Sequence, residues 1–116
     1  MSQEIFDYLC TRLKDVQNFK AEVNKDTTDI VIHGELNDMP VSITVRNLTP
    51  NTVDVEVSAC ESTYCCTLGF TTVVEDVAVT VDNIVSALQD CVDNVDNIEK
   101  KYVVRAYKSR PIPSYF

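Results

Sequence analysis

The 116-residue chain has 2 glycines, 4 prolines, no tryptophan and a single histidine. Each shortage excludes something. A phosphate-cradling loop needs several glycines so that backbone N–H groups can converge on an anion, and Gly34 and Gly69 stand far apart. So few Gly and Pro also argue against long flexible linkers. His33 is the only imidazole, which starves any zinc site or Cys–His nucleophile. HExxH, GxSxG and DxDxDG are all missing. No apolar run approaches the ~20 residues of a membrane span. The opening Met1-Ser2-Gln3-Glu4 has no basic stretch leading into an apolar one, so no secretory leader is expected. The expectation is a cytoplasmic protein, in a bacterial host cell if phage-encoded, with no membrane contact, no cofactor, no metal and no enzymatic activity.

The most informative absence is of positive charge. Residues 51–99 hold ten acidic residues and not one Lys or Arg. Residues 1–50 hold eight acidic and five basic residues, and 100–116 hold five basic and none acidic. The net charge is −8. Such a body repels DNA over most of its surface and attracts a basic partner, an attraction that salt screens.

What is present is ordinary globular material: 45% hydrophobic and 24% charged residues, enough to oppose disorder and supply one core. Ile5, Leu9, Leu13 and Val16 recur at helical spacing behind Ser2, a capping residue, and Glu4, an acid in the first turn. A helix over 3–16 is expected. The period then drops to two. Phe19, Ala21 and Val23 alternate with polar residues, a β-branched strand follows at 30–35, and Val41, Ile43 and Val45 alternate next. Val53, Val55, Val57 and Ala59 form another alternating set, and Tyr64, Cys66, Leu68 and Phe70 one more. Turn-forming clusters at 25–29, 37–38 and 47–51 separate these runs. The spacing predicts a meander of four to five antiparallel strands with one wet face.

Helical spacing returns with Val74, Val77, Val81, Ile84, Val85, Leu88, Val92, Val95 and Ile98. Thr72 and Glu75 fit a capping box. The alternating Val77-Ala78-Val79-Thr80-Val81 also suits a strand, so the helix is firm only over 81–101. Two amphipathic helices can cover one apolar sheet face, which predicts an α+β two-layer sandwich, α-β-β-β-β(-β)-α. Residues 1–108 are expected to form one domain, and the Pro-containing 109–116 a tail.

Val-Asp-Asn occurs at 81–83, 92–94 and 95–97. Asp82 and Asp93, eleven residues apart, share a helix face. With Asp90 and Asp96 they place four carboxylates along roughly 20 Å. Asp54, Glu56 and Glu61, on or beside the fourth run, extend the candidate partner-binding set. The bland reading is a solvated face that keeps the protein soluble.

Cysteines number five (Cys10, Cys60, Cys65, Cys66, Cys91) with no CxxC pair. An odd count at irregular spacing is read as reduced thiols. Cys65 and Cys66 should point to opposite sheet faces, and Cys10 and Cys91 should pack as small core residues. The basic end interleaves Lys100, Lys101, Arg105, Lys108 and Arg110 with Tyr102, Tyr107, Tyr115 and Phe116. Complementing the helix dipole, with Tyr102 packed on the sheet, explains it more simply than nucleic-acid binding.

In general type the chain is similar to small phage-encoded proteins that block host defences, and to small acidic chaperones of bacterial secretion systems. The similarity is one of type, so no residue role is carried across. The function expected first is a non-catalytic inhibitor that imitates DNA and masks a basic, nucleic-acid-handling protein, with no direct nucleic-acid binding. A dimeric adaptor using an apolar surface or a sheet edge comes second. A ligand-binding protein or enzyme centred on the cysteines and His33 comes third. The chain is expected to be a monomer or homodimer.

Overall fold

The computed structural model describes residues 2–108, with side chains through residue 97. The element order is α1 (Ser2–Arg12), β1 (Gln17–Val23), β2 (Ile30–Leu36), β3 (Met39–Thr49), β4 (Thr52–Glu61), β5 (Tyr64–Val73) and α2 (Val77–Lys108). The strands form one antiparallel sheet in the order β1-β2-β3-β4-β5, a five-stranded meander. The fold is therefore the expected α+β sandwich, with both helices on one face.

The period-two alternation decides which face. The register aligns Ala21, Ile32, Ile43, Val57 and Leu68 across all five strands, and Val23, Ile30, Val45, Val55 and Phe70 in the next row. These side chains meet Ile5 and Leu9 of α1 and Val81, Ile84, Leu88, Cys91, Val92 and Val95 of α2 in one contiguous core. The other face carries Lys20, His33, Ser42, Ser58 and Thr67 in one row, and Glu22, Val31, Thr44, Glu56 and Gly69 in another. The Ser42 and Ser58 hydroxyls bond each other at 2.8 Å. No described element covers this face, and its Ser/Thr content suits water.

Turn geometry fixes the register. Asn37 and Asp38 both have positive φ (54° and 63°), as a two-residue type I′ hairpin requires. In β1, Asn18 takes φ 53° where the ladder slips, forming a bulge. Gly34 of β2 is required by close approach. A Cβ there would collide with Val16 Cγ1, with the Gln17 carbonyl 3.0 Å away.

Three boundaries differ from expectation. Of the expected turn 47–51 only Pro50 and Asn51 form the turn, because β3 runs on to Thr49 and Asn47 pairs with Val53. Helix α1 stops at Arg12 rather than 16. Leu13 N–H still donates to the Leu9 carbonyl at 2.9 Å, but Lys14–Asp15 is a turn and Val16 N–H returns to the Leu13 carbonyl. Leu13 and Val16 stay buried in the same core, so the apolar spacing outlasts the helix. The expected capping box does not form either, because Thr72 and Val73 pair with Val53 and Thr52 in the sheet. Asp76 caps α2 instead. Its Oδ1 accepts the Ala78 N–H at 2.9 Å, and its carbonyl accepts the Thr80 N–H at 3.0 Å. This cap settles Val77–Val81 as helix despite its β-branched composition. The tail 109–116 and the side chains of the basic end, Tyr102 included, lie outside the described residues.

Replacing Asp76 with Ala should cost about 1 kcal/mol of stability. Thr72→Ala should cost less than Asp76→Ala. Urea denaturation midpoints of the two variants check the order, and the reverse order would restore the capping box.

Candidate protein-binding surfaces

The α2 carboxylates come together as expected. Asp82, Asp90, Asp93 and Asp96 lie within about 120° of the helix circumference, over a rise of about 21 Å. The first three are exposed and Asp96 is half-buried. Gln89 donates to the Asp93 Oδ1 at 3.0 Å. Asp82 is not bare charge. The Arg12 guanidinium, at the end of α1, pairs with it. Sequence could not supply that neighbour, because the pair spans 70 residues and depends on how α1 packs against α2.

Asp54, Glu56 and Glu61 do not join that surface. Asp54 and Glu56 sit on the face turned away from the helices, with the sheet between them and α2. β4 is an interior strand, so neither reaches round an edge. Asp54 is also partly neutralised. It accepts the Thr71 hydroxyl at 3.1 Å, and the Arg46 guanidinium lies 3.9 Å away. Glu61 is exposed at the end of β4, opposite Tyr64. The seven candidates therefore divide among the α2 face, the open sheet face and a hairpin tip.

The cysteines require a correction. Cys60 and Cys65 form a disulfide, so these two are not free thiols. The two-residue turn Ser62–Thr63 makes them direct cross-strand partners, with Cα atoms 4.1 Å apart. Counting cysteines misses this. Placing them five apart about a two-residue hairpin loop would have found it. Cys66 points to the opposite face, as expected. There the Asn94 amide approaches its Sγ at 3.9 Å, and Cys91 lies close. Cys91 is fully buried, and its thiol donates toward the Val57 carbonyl. Burial, helped by the neighbouring Cys66, pushes it up to about 12 from an ordinary 9.0. Burial and then the Asp7 carboxylate also raise Cys10.

His33 is exposed on the open face, three strands from β5, so the histidine and the cysteines share no pocket. Among the described residues, no three His, Cys, Asp or Glu side chains are placed to hold a metal ion. Among the described residues, no helix is long and apolar enough to cross a membrane. Ser2, Thr28, Asn47 and Pro50 line an open depression that no other described residue roofs. The Asn47 amide, which ties Ser2 to Thr28, accounts for its polar lining. Comparison with protein-family models, with curated proteins and with solved structures finds no match.

Unfolded without reductant, the chain should show three reactive thiols, and five after reduction, by Ellman titration. In the native state at pH 8, Cys91 should be the slowest to react. Its raised value also sets a stability trend. Below pH 9 both states keep the proton. Between 9 and about 12 the unfolded chain ionises while the native one does not. Stability should fall across that window, and Cys91→Ala should flatten the fall in a urea series.

Proposed function

We propose that the chain is a non-catalytic acidic binding protein that masks or inhibits a basic, nucleic-acid-handling protein through the outward face of α2. One observation carries this reading. Asp90, Asp93 and Asp96 rise about 4.5 Å apart along one helix face, close to the 3.4 Å phosphate step of a single DNA strand. Asp90 and Asp93 have no Lys or Arg within four residues in sequence, whereas Lys100 stands one turn beyond Asp96. A cationic groove built for phosphates would meet a similar linear charge density. Asp82 contributes less, because Arg12 already pairs with it. Asp54, Glu56 and Glu61 face elsewhere and take no part.

In this reading the protein works by occupancy, not turnover. It acts in the cytoplasm, where its partner handles nucleic acid. A reducing pool there would open the Cys60–Cys65 bond, which lies at the far end of the sheet from the α2 N-terminus and outside the acidic face.

Capture from bacterial lysate on the immobilised protein should retain one nucleic-acid-binding protein, released by rising salt and by duplex DNA. The double reversal Asp90→Lys with Asp93→Lys should weaken capture by about tenfold or more and flatten its salt dependence. Capture that ignores the reversal, salt and DNA would sink the proposal.

A further inference from the structure

The two edges of the sheet are built differently. β1 is protected: it carries Lys20 and Glu22, and the bulge at Asn18 breaks its line. β5 has none of these devices. Residues 62–74 contain no Asp, Glu, Lys, Arg or Pro, in a chain of net charge −8. β5 is ten residues long and pairs with β4 without interruption. Its helix-side residues Cys66, Leu68 and Phe70 remain half-exposed, whereas Val53, Val55, Val57 and Ala59 beside them on β4 are 0–1% exposed. Phe19, Ala21 and Val23 of β1 are exposed to a similar degree, so among the described residues the edges differ in charge and regularity rather than in how far the core is covered.

The direction of the free backbone groups follows from the hairpin. The Glu61–Tyr64 pair closes a two-residue turn, and Val74 N–H donates to the Asn51 carbonyl at 2.7 Å. Even-numbered residues of β5 therefore bond to β4. The N–H and C=O groups of Cys65, Thr67, Gly69, Thr71 and Val73 point away from the sheet.

Gly69 lies at the midpoint of that set. Nothing within the described chain requires glycine there. A Cβ would meet only the Val55 carbonyl at an ordinary 3.6 Å, and φ is not positive. Glycine inside a strand costs roughly 0.5–1 kcal/mol relative to alanine, and it often marks the approach of another backbone.

We propose that β5 pairs antiparallel with β5 of a second copy, about a two-fold axis at Gly69, to form a continuous ten-stranded sheet. Gly69 then faces Gly69, Thr67 faces Thr71, and Cys65 faces Val73. On the helix side Leu68 of each copy faces Phe70 of the other, so four half-exposed apolar side chains close over the axis. A self-pairing of this kind needs a surface complementary to itself, and this register supplies it. The strand is roughly 34 Å long and the sandwich about 20 Å deep. Pairing would bury roughly 1,400 Å² in total, within the range of stable interfaces. An uncharged strip is also where two strongly acidic bodies repel least.

Sedimentation equilibrium of the full chain tests this at low and high salt. The wild type should sediment at twice 13.0 kDa at micromolar concentration, and high salt should preserve or strengthen the dimer. Gly69→Lys, which the monomer can accommodate, sets like charges against each other at the axis. Thr67→Pro removes an outward N–H without touching the β4 ladder. Each should raise the dimer dissociation constant by about tenfold or more, with an unchanged circular dichroism spectrum. A wild type of 13.0 kDa throughout, or a dimer indifferent to both variants, would overturn the proposal. So would a dimer broken by salt or by reversal of Asp90 and Asp93, which would move the contact to the α2 face.

Discussion

A meander sheet with one apolar face cannot bury that face by itself, and the rest of this structure follows from how it is covered. Four of the five strands contribute β-branched residues to a single inner surface, and among the described residues α1 and α2 shield it. α2 lies over β4 and β5 and packs against α1 beside it. With both helices on one face, no described element covers the other. Ser42, Thr44, Ser58 and Thr67 suit that position. The same division sorts the acidic residues. Those of α2 point away from the core on one side, and Asp54 and Glu56 point away on the other.

Period carried most of the fold. Alternation in β3 and β4 is strict, because each of these strands has one face against helices and the other in water. The 3.6-residue spacing of Val81, Ile84, Leu88, Val92 and Val95 reports one buried helix stripe, and all five are buried. What period could not carry is the chemistry of ends. Leu13 and Val16 continue the α1 spacing after the helix has stopped, because a turn can feed the same core. Thr72 and Glu75 have the right identities for a cap, but the ladder with Val53 claims Thr72 first. Asp76, four residues on, becomes the cap.

The candidate site was legible in part, for a related reason. Residues on one helix share a face by geometry alone, so the grouping of Asp82, Asp90, Asp93 and Asp96 could be read directly. Grouping across elements needs the packing. Arg12 reaches Asp82 only because α1 lies beside α2, and Arg46 faces Asp54 only through the β3–β4 register. The Cys60–Cys65 pairing is intermediate. It is local in sequence, but visible only once the hairpin turn is fixed at Ser62–Thr63.

The acidic face and the bare edge constrain each other. α2 packs on β4 and β5, so a dimer formed through β5 would bring two α2 helices to either side of the axis. Two sets of carboxylates would then stand on one side of a single sheet, where one copy has one set. That raises the field offered to a basic partner, and it raises the repulsion that backbone bonds and the Leu68–Phe70 contacts must offset. Salt acts on the two associations with opposite sign. It screens the attraction for a cationic groove, and it screens the repulsion between copies. An absence of charge over 62–74 beside a run of carboxylates on α2 is thus one arrangement rather than two. On these two proposals, the charge that would draw a partner is kept off the strip where copies would have to meet.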